Sequence, residues 1–318
     1  MSQPHMKAKA TPAPRVGTAA LPRADAGAAA VDAGRLPITN ALTVDVEDYF
    51  QVQAFADRIS RADWDHLECR VERNTDRVLQ LFADAGARGT FFTLGWVAER
   101  YPALIGRIVA GGHELASHGY AHIRADSQTP DEFRDDIRRT KKLLEDTGGV
   151  PIRGYRAATF SIGSGNMWAY DVLAEEGYVY SSSIYPVRHD FYGMPDAPRF
   201  PFYPSGEGGT YEIPMTTIRM FGRNLPSSGG GYFRLLPYGV SRWQMRRVNR
   251  EDRQPGIFYF HPWEVDPDQP RQTGISAKTR VRHYTGLGRM QGRLRRLLAD
   301  FAWGRMDEVY RIGAAESG

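Results

Sequence analysis

Two histidines spaced for one ion open the reading of this chain. His118-Gly119-Tyr120-Ala121-His122 holds two imidazoles with three residues between them. On a helical turn or in a tight loop, that spacing lets both rings face a common cation. A catalytic metal site of this kind takes three protein ligands and leaves one position for water, so a carboxylate is needed as well. Asp45, Glu47 and Asp48 form an acidic cluster upstream. Carboxylates so close repel one another unless a cation neutralises them. Asp45 fits the role of a base that takes a proton from water, and Glu47 or Asp48 the role of ligand. His261, in Phe258-Tyr259-Phe260-His261-Pro262-Trp263-Glu264, is placed to protonate a departing amine. Arg156 either holds the base carboxylate or pairs with a surface acid. Histidines at such positions also occur as packed core residues, and acids after a strand also begin solvated loops. Two neutral imidazoles with one carboxylate suit zinc, and also cobalt or nickel.

The elements that must position these groups follow an alternating pattern. Residues 42–46 are a short β-branched and apolar run that ends in the acids. A helix with its apolar stripe at Val71, Val78, Leu79 and Phe82 follows and stops at Asp84-Ala85-Gly86. Strand-like runs are predicted at 89–94, 113–118, 152–157, 178–184, 211–214 and 257–261. Helices are predicted at 96–110, from Thr129-Pro130 to Asp146, and at 166–176. Strands alternating with helices imply a parallel sheet, and seven of them favour a barrel over an open sheet. The acids, His118, His122, Arg156 and His261 then fall at the C-terminal ends of strands, where such folds gather their chemistry.

Two stretches, 186–209 and 223–239, interrupt the rhythm with Pro, Gly and aromatic residues, including Ser227-Ser228-Gly229-Gly230-Gly231-Tyr232. Irregular segments of this length are expected as lids or binding loops. Residues 289–311 read as a basic amphipathic helix capping the domain.

Composition narrows the class. The chain has 318 residues, 42% of them hydrophobic and 25% charged, with a formal net charge of +4. Residues 271–318 hold ten Lys or Arg against four acids, a stretch that suits contact with a membrane surface or an anionic polymer. Nothing resembles a nucleic-acid-binding module. The single cysteine, Cys69, excludes an internal disulfide and any multi-thiolate metal site. Residues 1–35 are rich in Ala, Pro and Gly and lack the apolar core of a secretion signal, so a disordered leader and a cytoplasmic location are expected.

Four segments together resemble the NodB-type polysaccharide deacetylases of carbohydrate esterase family 4, and in particular the subgroup associated with exopolysaccharide and exosortase (PEP-CTERM) loci. They are Thr43-Val44-Asp45-Val46-Glu47-Asp48-Tyr49-Phe50, Gly112-His113-Glu114-Leu115-Ala116-Ser117-His118-Gly119-Tyr120-Ala121-His122, Arg153-Gly154-Tyr155-Arg156-Ala157-Ala158-Thr159-Phe160-Ser161-Ile162 and Phe260-His261-Pro262-Trp263-Glu264. They occur in the family's order over residues 43–264. The resemblance implies a distorted (β/α)7 barrel and a metal held by one acid with His118 and His122. It implies Asp45 as base, His261 as acid and Arg156 as the residue orienting the base, in hydrolysis of an acetamide on an N-acetylated polysaccharide. The chain departs from the family in two places. Asp45-Val46-Glu47-Asp48 replaces adjacent aspartates, where ligand type favours Asp48 and strand alternation favours Glu47 as the alternative. Ala158 stands where the third segment commonly has Pro.

The domain reading is therefore a leader over 1–35, a barrel over 36–270 with an aromatic and Gly-rich insert at about 186–239, and a basic helical extension over 271–318. Two other functions fit parts of the pattern: an amidase acting on a small cyclic amide, and a non-catalytic carbohydrate-binding protein on the same barrel. The long insert argues for an extended cleft, and the retained Asp45, His118, His122 and His261 argue for catalysis.

Overall fold

The computed structural model describes residues 38–313; the expected leader, 1–35, lies outside the described residues. The first strand, β1 (Thr39–Val46), is buried along nearly its whole length on both faces. That is the environment a parallel strand occupies when helices cover both sides of its sheet. Around it lie β2 (Thr90–Thr93), β3 (Glu114–Ser117), β4 (Gly154–Tyr155), β5 (Tyr180–Ser181), β6 (Tyr211–Glu212), β9 (Ile257–Phe260) and β10 (Ala302–Gly304). A separate antiparallel hairpin is formed by β7 (Thr217–Met220) and β8 (Arg223–Pro226).

The eight sheet strands are all parallel, in the order β10-β1-β2-β3-β4-β5-β6, with β9 also on β1. Each of the seven expected strands is present. No ladder joins β6 to β9, so the sheet curls into a barrel open at that seam. There the Ile257 amide donates to Thr216 Oγ1 at 2.5 Å.

The helices are α1 (Val71–Asp84), α2 (Gly95–Arg100), α3 (Pro102–Ala110), α4 (Pro130–Gly148), α5 (Ala169–Glu175), α6 (Gly230–Leu235), α7 (Tyr238–Arg247), α8 (Ala277–Tyr284), α9 (Leu287–Asp300) and α10 (Met306–Val309). In α1 the expected stripe is realised, with Val71, Val78 and Phe82 buried in the core. The start of α4 is fixed by a reciprocal capping box: Thr129 Oγ1 accepts the Glu132 amide, and Glu132 accepts the Thr129 amide. A cap of this kind contributes on the order of 1 kcal/mol.

Two expected helices are corrected. The run at 96–110 is broken at Tyr101, because Pro102 disfavours helical geometry in the residue before it and starts α3 afresh. The basic helix expected over 289–311 ends as α9 at Asp300. Ala302–Gly304 then pair with Thr39–Ala41 in the sheet, so the end of this stretch is a strand and a short helix. Among the described residues, no helix is long and apolar enough to cross a membrane.

Candidate active site

At the C-terminal ends of the strands, the alternation of β1 sends Asp45 and Glu47 to one side, and both are buried. The chain after β3 forms a tight loop rather than a helical turn, bringing His118 and His122 to 5.3 Å between ring centroids. His122 takes a left-handed conformation (φ 50°) and Gly119 another (φ 73°). A side chain on Gly119 would strike Asp136 Oδ2 at 2.9 Å. Arg61 ties the loop down by donating to the carbonyls of Ala121 and His122 at 2.7 and 2.9 Å. Asp136 accepts the Tyr120 amide at 3.0 Å. These two supports carried no signal of their own in the sequence.

Glu47, His118 and His122 offer ligand atoms that all lie within 4.8 Å of one another. His118 Nδ1 bonds to the Arg156 carbonyl at 2.8 Å, an acceptor that requires the proton on Nδ1 and leaves the Nε2 lone pair toward the cluster. His122 Nε2 lies 3.0 Å from Glu47 Oε2, yet that oxygen is buried without a well-formed hydrogen bond. Burial lowers the pKa of both imidazoles, further for His122, and so favours the neutral, ligating form. Burial also pushes the Glu47 carboxyl up to about 7. An orphaned buried carboxylate oxygen beside two neutral imidazoles is a donor set that fits a divalent cation.

Among the described residues, Glu47, the alternative expected from the sequence, rather than Asp48 stands with the two histidines. Asp48 turns away and accepts the amides of Tyr49 (2.8 Å), Val71 (2.7 Å) and Arg70, so its carboxylate caps the start of α1. Two residues after Asp45, Glu47 shares its face; Asp48 does not.

Asp45 and Arg156 are brought together. Arg156 is fully buried, and its Nη1 donates to Asp45 Oδ1 at 2.6 Å and to Thr43 Oγ1 at 2.9 Å. Its other nitrogens donate to the Ser182 carbonyl and hydroxyl, each at 3.2 Å, and its guanidinium lies 4.0 Å from the centroid of the Phe92 ring. Every direction in which it could swing is occupied, so Asp45 Oδ1 is pinned while Oδ2 faces the site.

His261 closes the other side, its Nε2 3.3 Å from Glu47 Oε1 and 4.0 Å from Asp45 Oδ2. Its Nδ1 lies 2.9 Å from Glu264 Oε1, and Glu264 in turn accepts from Arg234 Nε at 2.6 Å. Burial alone would lower the His261 pKa, but Glu47, Glu264 and Asp45 together raise it to about 9. Burial opposes the charge on Glu264 too, yet Arg234 and His261 hold its carboxyl at about 2. Arg234 also donates to the carbonyls of Arg282, His283 and Thr285, fixing the end of α8.

Sequence reasoning gave no role to Glu264 or Arg234, although Glu264 lies three residues from His261 and Arg234 lies inside the insert. The Gly-rich stretch, expected as part of a lid or binding loop, packs closely on the site, and Gly231 lines its cavity. A Cβ on Gly230 would meet Glu264 Oε1 at 2.1 Å, and Gly229, at φ 104°, presses on the Tyr259 ring. Cys69 stays an ordinary thiol, its pKa pushed up to about 12 by burial.

These groups share one cavity of about 380 Å³. Its walls include Phe160, Phe191, Tyr192 and Trp263, with Lys278 and Arg282 of α8 at the rim. Asp190 pairs with Lys278 at 2.5 Å.

Comparison with known proteins agrees with this layout. The family described as "Polysaccharide deacetylase" matches residues 63–180, and "Domain of unknown function (DUF3473)" matches residues 182–311. A peptidoglycan-N-acetylglucosamine deacetylase from Bacillus cereus is 32% identical over 75 residues, which are 24% of this chain and 27% of that protein. A chitooligosaccharide deacetylase from Bradyrhizobium is 29% identical over 100 residues, 31% of this chain and 43% of that protein. The matched stretches thus span less than half the length of either relative. The solved structure of Puue allantoinase is similar in fold, with a TM-score of 0.57 at 15% identity over 88% of this chain and 91% of that one. His118, His122 and Arg156 lie in the first matched segment, and Arg234, His261 and Glu264 in the second. Residues 63–180 thus resemble the polysaccharide deacetylase family and residues 182–311 the DUF3473 family, and residues from both stretches line the same cavity.

Proposed function

We propose that this protein is a metal-dependent hydrolase that removes N-acetyl groups from a polysaccharide, with a role in exopolysaccharide biosynthesis. The supporting observation is the Glu47–His118–His122 donor set, flanked by the Asp45–Arg156 pair on one side and His261–Glu264 on the other. Zinc is the expected ion, with cobalt or nickel as substitutes, because two imidazoles and a carboxylate suit all three.

Glu47, His118 and His122 would hold a divalent cation, which would supply polarisation of the acetamide carbonyl and a lowered pKa for water. The remaining steps belong to side chains of this chain. Asp45, held by Arg156, takes the proton from the attacking water on its free oxygen. His261, aimed by Glu264, gives a proton to the departing sugar amine. Phe160, Phe191, Tyr192 and Trp263 line the cavity and supply its apolar wall.

The test is acetate release from N-acetylglucosamine oligomers by protein stripped with a chelator and then supplied with zinc. Release that appears only with the metal and disappears in Asp45→Asn upholds the reading. Zinc uptake without release from any glycan overturns it.

A further inference from the structure

The loop that carries His118 and His122 is held carbonyl by carbonyl. Gly119 and Tyr120 accept the amides of Gly95 and Trp96, at the start of α2, at 3.0 and 2.9 Å. Ala121 and His122 accept instead from one side chain. Arg61 Nε reaches the Ala121 carbonyl at 2.7 Å, and Nη2 reaches the His122 carbonyl at 2.9 Å. Four successive carbonyls are thus satisfied, the last two by a single planar guanidinium whose fork fits both at once. Arg61 opens a short 3-10 helix (Arg61–His66) that is capped by Ser60, whose hydroxyl accepts the Ala62 amide at 3.2 Å. Among the described residues, both of its hydrogen bonds go to this loop.

The two histidines differ in how they are aimed. His118 is fixed twice, its amide donating to the Thr93 carbonyl at 3.0 Å and its ring Nδ1 to the Arg156 carbonyl at 2.8 Å. A bond on the second ring nitrogen is the usual means of orienting a ligating imidazole. The His122 ring has no such partner among the described residues; its Nε2 faces Glu47 Oε2 at 3.0 Å. Its direction is set by the backbone, which lies in the left-handed region at φ 50°, uncommon for a residue with a Cβ. A conformation of this kind persists only when its surroundings over-determine it. The bond from Arg61 to the His122 carbonyl supplies that constraint.

We infer that Arg61 is a positioning residue for the metal-donor set: by bridging the carbonyls of Ala121 and His122 it holds the His122 imidazole beside Glu47 and His118. The inference rests on the metal reading above and adds to it a residue outside both matched segments, 63–180 and 182–311. Charge alone predicts the opposite effect, since one cation near the site opposes another and its removal would tighten metal binding. The sign of the change therefore separates the two roles. Lysine keeps the charge but, as a point donor, does not span two carbonyls in a fixed fork.

The experiment uses the full chain as wild type, Arg61→Ala, Arg61→Lys and Arg107→Ala. Arg107 is an exposed arginine that bonds Glu72 and Asp76 and does not touch the loop. Zinc Kd is measured by competition with a chromophoric chelator. Cobalt is added to the metal-free protein to record its visible absorption, which reports ligand number and geometry. Arg61 is itself exposed, so water takes over the two carbonyls in Arg61→Ala and the chain still folds. The expected result is a zinc Kd raised about 10–100-fold in Arg61→Ala, the range found when the outer partner of a metal ligand is lost, together with a changed cobalt spectrum. Arg61→Lys should also be weakened, and Arg107→Ala should match wild type. Unchanged or tighter zinc binding in Arg61→Ala overturns the inference, as does equal weakening in Arg107→Ala or full affinity in Arg61→Lys. If wild type itself takes up no zinc, the metal reading fails and this inference with it. Wild-type zinc uptake and acetate release that Arg61→Ala leaves untouched removes the inference alone.

Discussion

His261 Nδ1 and Glu264 Oε1 lie 2.9 Å apart, and the same carboxylate accepts from Arg234 at 2.6 Å. The ring is thereby fixed with Nε2 toward the cavity. All three residues fall within the DUF3473 match, so that region lines part of the candidate site. Replacing Glu264 by Gln keeps the shape and removes the charge. We expect kcat to fall about 10–100-fold, in the range seen when the partner that orients a functional histidine is lost, with little change in KM or metal content. Steady-state kinetics on the zinc-loaded protein check this.

The Asp45–Arg156 pair makes a second prediction. Asp45→Asn should lower kcat by about 10²–10⁴-fold while metal content stays at wild-type level, as for loss of a general base. His118→Ala should lose both activity and metal. Near-wild-type turnover by Asp45→Asn would exclude the base role.

Glu47 and Asp48 are separated by their variants. Glu47→Ala should lose bound zinc, measured by elemental analysis, with modest change in stability. Asp48→Ala should still bind zinc yet unfold more easily, by roughly 1–3 kcal/mol, because buried amides at the start of α1 lose their acceptor. The opposite pattern would return the ligand role to Asp48.

Two buried histidines outside the candidate metal-donor set put an acid limit on stability. His283 packs at 4.3 Å on Trp263 and bonds Gln269 at 2.7 Å; burial and then Arg234 lower its pKa to about 3. His113 accepts the Gly89 amide at 3.2 Å and is lowered to about 4 by burial, Arg305 and Arg88. Below pH 6.5 the unfolded chain takes up protons that the folded chain refuses, so stability is full above that pH and falls as pH drops toward 4 and then 3. Each group steepens the loss by up to about 1.4 kcal/mol per pH unit. Urea unfolding of wild type and His113→Gln at pH 8 and pH 5 should show a larger acid shift in the wild type. Equal shifts would remove His113 from the account.

Periodicity was enough to read the seven parallel strands and the α1 and α4 helices, because burial of one stripe and a capping box are local properties of 71–84 and 129–148. The clustering of Asp45, His118, His122, Arg156 and His261 at strand ends was equally legible, since the shared direction of parallel strands puts their C-terminal ends at one end of the sheet. What local pattern could not carry was long-range choice. Glu47 rather than Asp48 stands beside the two histidines, while Asp48 accepts the amides at the start of α1. Residues 302–304 became a strand because β1 had an open edge beside its first residues. Glu264 and Arg234 joined the site through an ion pair between residues thirty positions apart. Residue type and spacing determined which chemistry is available to this chain. Tertiary packing decided which carboxylate performs each part of it, because a buried charge settles wherever its partners are, whatever its distance along the sequence.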